Sequence, residues 1–210
     1  MELSGIRNAG IVVTGAAQGI GEAVARHLSA DGAQLILIDR QEDAVGQLAN
    51  ELSATGIYAD LTDEASVNAA IDRAEKKLAG GIFGMVNVAG IQQIGSLMEQ
   101  SAKDFDTHFA VNLRGAWLTT RAAARHMAER KSGAVVTISS NAARVPRVRQ
   151  GAYCSSKAGV SHLMRVFALE LGPLGIRVNT VAPGATETPM IHRMMEDMNF
   201  GEAMLKGDLA

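Results

Sequence analysis

The chain has 210 residues, 47% hydrophobic and 20% charged, with a formal net charge of −2; this suits one domain with a sizeable core and lacks the basic excess of a nucleic-acid-binding surface. No apolar run approaches the roughly 20 residues that cross a bilayer, and the N-terminus MELSGIRNAG lacks the charged-then-apolar build of a signal peptide. The single cysteine, Cys154, excludes an internal disulfide framework, so the composition predicts a cytoplasmic protein that engages neither nucleic acid nor membrane.

The first element is an apolar run, GIVVTG (10–15), expected to be a strand and followed by a helix near 19–30. Between them lie Gly15, Gly19 and Gly21, spaced G-x-x-x-G-x-G. A chain that must turn sharply, admit a pyrophosphate to its backbone and aim helix N-terminal amides at it needs glycine at such points. Alone, the set is equally an ordinary tight turn. The second run, AQLILID (33–39), ends on Asp39, where a ribose-binding acid belongs. A carboxylate there accepts hydrogen bonds from ribose hydroxyls and repels a 2′-phosphate. The loop residues Ala16, Ala17 and Gln18 offer no cation to such a phosphate, although Arg40 could. NAD is therefore the expected cofactor, with NADP second.

A helix near 41–53, a short strand GIYAD (56–60) and a helix over 63–78 follow, the last opened by Thr62, Asp63 and Glu64. GMVNVAG (84–90) reads as the fourth strand. Ser101, three residues before Asp104, resembles the start of a long helix over 104–130, in which Phe105, Phe109, Asn112, Ala116 and Thr120 form one inward stripe. GAVVTISS (133–140), a helix over 153–171 and IRVNTVAPG (176–184) complete the series. The runs are apolar throughout, as in strands covered on both faces. Alternation of strand and helix predicts an α/β fold, a doubly wound parallel sheet in one domain spanning 1–210. The five histidines, His27, His108, His126, His162 and His192, show no ligand spacing, so no metal is expected.

These pieces together resemble the short-chain dehydrogenase/reductase family. The matching segments are TGAAQGIG (14–21), DR (39–40), ADLTD (59–63), NVAG (87–90), Asn112 in FAVNLRG, ISS (138–140), YCSSK (153–157) and NTVAPGATET (179–188), in the family's order. One departure is Val88, where the family usually has a second asparagine. The resemblance implies a Rossmann-type sheet and a nicotinamide cofactor held by Gly15, Gln18, Gly19, Ile20, Gly21, Asp39, Arg40, Asp60, Leu61, Asn87, Ala89, Gly90, Tyr153, Lys157, Pro183, Gly184, Thr186 and Thr188.

It also assigns the chemistry. Tyr153 and Lys157, four apart on a helix, share one face. Singly, such a pair is just as well a solvated face. The resemblance makes Tyr153 the general acid/base and has Lys157 lower its pKa and hold the nicotinamide ribose. Ser140 would hydrogen-bond the reacting substrate oxygen. Asn112 would bend its helix locally and seat a water in a proton relay from Lys157. An adjacent ammonium and the positive nicotinamide ring of the oxidised cofactor are both expected to lower the phenol's pKa from near 10. Cys154, beside Tyr153 in sequence, faces elsewhere and reads as packing.

A closer likeness, carried by SSNAARVPRVRQGAYCSSKA and APGATETPM, is to the 2,3-dihydro-2,3-dihydroxybenzoate dehydrogenase subfamily of catechol siderophore synthesis. It implies a cyclic diol carboxylate as substrate. Arg147, after the restraining Pro146 and helped by Arg144, is expected to bind the carboxylate through paired hydrogen bonds, although exposed loop arginines are more often solvated. Other short-chain oxidoreductases, such as a 3-oxoacyl reductase or a sugar-alcohol dehydrogenase, and a cofactor-binding module without turnover are the alternatives.

The stripe Met190, Ile191, Met194, Met195 and Met198 falls where the family has its substrate lid, here 185–210 with the tail, and Met190 is read as a substrate contact. The family pattern runs about 40 residues beyond Ala210, so its C-terminal strand is expected to be lacking and a sheet edge open. A homodimer or homotetramer is expected through the helices over 104–130 and 153–171. Ala122, Ala123, Ala158 and Gly159 there are either outward contacts or internal packing.

Overall fold

The computed structural model describes residues 5–197. All six apolar runs form strands: β1 (Gly10–Thr14), β2 (Gln34–Asp39), β3 (Thr55–Tyr58), β4 (Gly84–Asn87), β5 (Gly133–Ile138) and β6 (Ile176–Val181). The helices are α1 (Gly19–Ala30), α2 (Glu42–Glu51), α3 (Glu64–Lys77), α4 (Ala102–His108), α5 (Ala116–Arg130), α6 (Gly151–Leu171) and α7 (Pro189–Asp197). Every strand pair is parallel, in the order β3-β2-β1-β4-β5-β6. The order reverses between β1 and β4, which opens a crevice beyond their carboxyl ends, the place where such sheets bind ligands. Among the described residues β6 is an edge strand, and Val181 on it is 48% exposed.

Side chains alternate across the sheet, and β2 shows why its central four residues, Leu35 to Ile38, include no polar position. Leu35 and Leu37 pack with Val13, Val45 and Leu48 on one face; Ile36 and Ile38 pack with Ile71, Met85, Leu118 and Met127 on the other. Both faces are dry, so both sets must be apolar. A third cluster, Val160, Met164 and Phe167 with Ala116, seats α6 against α5. No helix of the described residues is long and apolar enough to cross a membrane.

Two expectations are corrected and one open alternative is settled. The cap of α3 is Asp63, whose carboxylate accepts from the amides of Ala65 and Ser66. Thr62 instead donates its amide and its hydroxyl to Asp60 Oδ1, each at 2.8 Å. The helix expected over 104–130 begins at Ala102 and is interrupted by a wide π turn at Phe109–Gly115. The wider turn advances the helix face, so the expected stripe splits. Asn112, Ala116 and Thr120 are buried, whereas Phe105 is 39% exposed and stacks on Phe109 at 4.7 Å between ring centroids. Lastly, Ala122 and Ala123 lie in the core and Ala158 is exposed, so the alanines of α5 serve internal packing.

Candidate active site

The glycine loop fits the crevice for steric reasons. Gly15 has φ +64°, and a Cβ there would stand 2.6 Å from the Ala89 backbone. A side chain on Gly21 would overlap the Gly15 carbonyl. At the tip of the loop a Cβ on Gly19 would meet Thr188 at 3.3 Å, so the approach to α7 lies over this turn. Gln18, the N-cap of α1, makes no side-chain cap bond, which leaves the first-turn amides of α1, from Gly19 and Ile20 on, without a side-chain acceptor of that kind.

Asp39 ends β2 with its carboxylate accepting from Ala17 N and Gln41 N, both at 3.0 Å. It is thereby aimed along the glycine loop, with the exposed Arg40 next in sequence. Asp60 sits opposite. Hydrogen bonds from the Thr62 amide and hydroxyl, with a smaller contribution from Arg40, hold its pKa below the usual range. Leu61 packs under Gly115.

Asn87 is spent inside the protein. Its amide donates to Thr120 and Thr137 at 2.9 and 3.1 Å and accepts from Thr119 at 2.7 Å. This buried knot fixes the end of β4 and leaves only the Asn87 backbone for a ligand. Gly90 lies beyond it; a Cβ there would come 3.2 Å from Asn112 Oδ1 and 3.3 Å from Lys157 Nζ. The chain after β6 is anchored by the Pro183 carbonyl, which accepts from Asn141 N at 3.0 Å. Thr186 donates to the Gly184 carbonyl, and the Thr188 hydroxyl accepts from Ile191 N, capping α7.

Ser140, Tyr153 and Lys157 come together beside this crevice. Ser140 caps the short 3₁₀ turn Asn141–Ala143 immediately after β5. Tyr153 is 8% and Lys157 4% exposed, with Nζ 5.9 Å from the phenol ring centroid. Lys157 Nζ donates to Ile138 O at 2.9 Å. Burial pushes its pKa down to about 8. Burial also raises the Tyr153 phenol above its ordinary value, which a hydrogen bond with Ser140 and the nearby Arg147 charge only partly offset. In the protein by itself desolvation of a phenolate outweighs the charges around it, so the adjacent ammonium does not bring about the expected fall; the nicotinamide charge belongs to the cofactor-bound state.

Asn112, at the centre of the π turn and 2% exposed, binds the Ile91 backbone twice: Oδ1 accepts from Ile91 N at 2.8 Å and Nδ2 donates to Ile91 O at 3.0 Å. The same amide donates to Ser156 Oγ on α6 at 3.0 Å. It therefore ties the segment after β4 to α6. His108, not singled out from the sequence, ties the same segment to α4 one turn earlier. It is fully buried, with Nε2 accepting from Gln93 N at 3.1 Å and Nδ1 donating to Asp104 O at 2.7 Å. Its position four before Asn112 is the sequence signal that could have found it.

Arg147 is exposed and donates to Asn141 Oδ1 at 3.0 Å, close enough to Tyr153 for its charge to act on the phenol. Arg144 is also exposed, and among the described residues no hydrogen bond or ion pair engages its guanidinium. On α7, Met190, Ile191 and Met194 are half-buried and Met195 is 43% exposed; Met198 lies outside the described residues. Cys154 is half-buried. No group of three or more His, Cys, Asp or Glu side chains among the described residues could hold a metal ion.

Residues 9–199 match the short chain dehydrogenase family model. The chain is 38% identical to a 2,3-dihydro-2,3-dihydroxybenzoate dehydrogenase of Bacillus subtilis, across all of this chain and 82% of that one. It is 36% identical to a D-threitol dehydrogenase of Mycolicibacterium smegmatis, across 93% of this chain and 76% of that one. Among solved structures, levodione reductase superposes with a TM-score of 0.88 at 32% identity, covering 91% of this chain and 77% of the other. The chain belongs to the short-chain dehydrogenase family of oxidoreductases.

The depressed Lys157 pKa has a consequence for stability. The folded state releases this proton near pH 8 and the unfolded chain near 10.5, so between these values the unfolded state binds more protons and folding gains as pH rises. Relative to Lys157→Met, the wild type is therefore expected to gain up to about 3 kcal/mol in unfolding free energy between pH 8 and 10.5, at 1.36 kcal/mol per unit. Urea titrations of both proteins across that range check it; a constant difference would place the ammonium in water.

Proposed function

We propose that the chain is an NAD-dependent dehydrogenase that oxidises a ring hydroxyl of a cyclic diol carboxylate, 2,3-dihydro-2,3-dihydroxybenzoate being the reference compound. The product is a ketone that tautomerises to 2,3-dihydroxybenzoate, a catechol acid of the kind built into siderophores. The observation that carries this reading is the grouping of Ser140, Tyr153 and buried Lys157 at the crevice mouth, with the Arg147 guanidinium beside them.

The cofactor fits the residues present. The glycine loop leaves backbone exposed at the α1 N-terminus for a pyrophosphate, and Asp39 is held at the end of β2 for ribose hydroxyls. When bound, the nicotinamide supplies the hydride acceptor and a positive charge. The protein manages position and proton. Ser140 holds the reacting hydroxyl; Tyr153 takes its proton as general base. Lys157 stands one turn behind the phenol on the same helix face and presents an ammonium toward the crevice. Asn112 keeps the Ile91 segment and α6 in register, so the phenol and the crevice floor stay fixed relative to each other. Arg147 binds the ring carboxylate at the edge, with Arg144 as a second cation. Met190 and the rest of α7 cover the substrate.

A sugar-alcohol dehydrogenase is the second reading, favoured by the 36% identity to a D-threitol dehydrogenase. Arg147 separates the two, because a neutral polyol gives a guanidinium nothing to neutralise.

Turnover is tested by NADH formation with cyclic diols bearing or lacking the ring carboxylate. The carboxylated diol is expected to be preferred, and Arg147→Ala to raise its KM tenfold or more, the loss of about 1.4 kcal/mol; an unchanged KM removes Arg147 from the pocket. Asp39 is expected to make the dissociation constant for NADH smaller than that for NADPH; the reverse order, read by fluorescence titration, would assign the subsite to Arg40. The outer face of α5 and α6 carries Trp117, Leu163 and Val166 around Gly159 and suits a second copy. Sedimentation is expected to give a dimer or tetramer, and a monomer at all concentrations would refute that assembly.

A further inference from the structure

Gln150 stands directly before α6 and three residues before Tyr153, so Gln150, Tyr153 and Lys157 follow one another along a single helix face. Its side chain is 6% exposed, and its two ends are treated differently. The Nε2 end donates to the Met194 sulfur of α7 at 3.7 Å. The Oε1 end is buried with no hydrogen-bond partner among the described residues. The orientation follows from chemistry: a thioether only accepts, so the amide must present its N–H to Met194 and its oxygen elsewhere. Buried amide oxygens are nearly always paired, and one left over in a folded protein calls for a donor.

The surroundings hold this amide in place. Gln150 N donates to Arg147 O at 3.2 Å, and Arg149 O accepts from Gly95 N at 2.9 Å, which clamps the segment after β4 onto the turn before α6. A Cβ on Gly151 would drive into the Leu97 side chain, so this junction is packed to contact. The amide is thus fixed against α7, one turn before Tyr153 on α6.

We propose that Gln150 is a specificity-determining residue that accepts a hydrogen bond from a second hydroxyl of the substrate, the one adjacent to the hydroxyl held by Ser140 and Tyr153. The substrate class is a vicinal diol rather than a simple secondary alcohol, and this deepens the reading of the site as a dehydrogenase on which it rests. The neutral acceptor suits a hydroxyl and would disfavour a carbonyl or carboxylate at that place, neither of which can donate. Binding a diol completes the pairing of Oε1, and the amide's other end joins the same event to α7.

The test is the ratio of kcat/KM for a diol to that for the matching mono-alcohol, measured as NADH formation. The probes are 2,3-dihydro-2,3-dihydroxybenzoate, cis- and trans-cyclohexane-1,2-diol, and cyclohexanol. The wild type is expected to favour diol tenfold or more. Gln150→Met, which keeps the volume but has no comparable acceptor, is expected to lower that ratio at least tenfold. Gln150→Glu keeps the acceptor and should retain the preference, as should Met194→Leu, which removes only the sulfur contact. A ratio in Gln150→Met within twofold of wild type would overturn the proposal and assign the Oε1 partner to solvent. An equal loss on both alcohols, with the ratio kept, overturns it in favour of a packing role. A wild type inert toward every diol and alcohol with either nicotinamide cofactor would instead overturn the dehydrogenase reading, and this inference with it. Thermal melts of each variant confirm that the fold persists.

Discussion

An ammonium buried at the carboxyl end of a parallel sheet constrains everything around it. Among the described residues Lys157 Nζ has one hydrogen-bond acceptor, Ile138 O, and a charge so placed is costly unless its surroundings are fixed. The neighbours are chosen accordingly. Gly90 carries no side chain because a Cβ would crowd both Lys157 Nζ and Asn112 Oδ1. Asn112 spends its amide on the Ile91 backbone and Ser156, so the floor of the crevice and the catalytic helix move as one piece. Removing any one of these groups would leave another buried polar atom unpaired, at about 1–3 kcal/mol each.

The same burial sets the proton chemistry. The lysine is pushed down to about 8 while the phenol is raised above its ordinary value, burial being the main cause of both. Without further charge the lysine loses its proton before the tyrosine does, and the phenol gains no phenolate character from it at high pH. The Ser140 hydrogen bond and the Arg147 charge work in the right direction but are outweighed. A ligand that brings positive charge into the crevice would act in the same direction as the Ser140 hydrogen bond and the Arg147 charge.

The strands were legible because dry faces on both sides leave uninterrupted apolar runs, and the crevice followed from the glycine spacing and Asp39. The π turn was not. A three-to-four spacing from Phe105 to Thr120 reads as one continuous stripe, and the wider turn is bought by contacts of Asn112 with Ile91 and Ser156 that no local pattern reports. Ala122 and Ala123 were ambiguous because small residues serve an interface and a core equally well. The N-cap shifted from Thr62 to Asp63 because Asp60 offered Thr62 a better partner. The raised phenol of the protein by itself was not legible, because charge proximity is visible in the spacing of Tyr153 and Lys157 whereas desolvation depends on the whole fold. Gln150 was passed over because nothing in its sequence surroundings distinguishes it from a helix-flanking polar residue.

Rigid and variable parts of the site are separated. Ser140 follows β5, Tyr153 and Lys157 sit inside the 21-residue helix α6, and Asn112 is locked in the π turn, so the reaction centre is held by regular elements. The groups that the proposed function gives to the substrate occupy different structure: Arg147 and Gln150 lie in the turn before α6, and the methionines on the short helix α7. Loops tolerate exchange without loss of the core, so one centre can serve many alcohols. The family gives the class of chemistry, an oxidoreductase, while the choice of alcohol is argued, in the function proposed above, from the arginine and the amide. On the function proposed above, the guanidinium at the edge and an amide oxygen without a partner among the described residues suit one molecule with an anionic group and neighbouring hydroxyls.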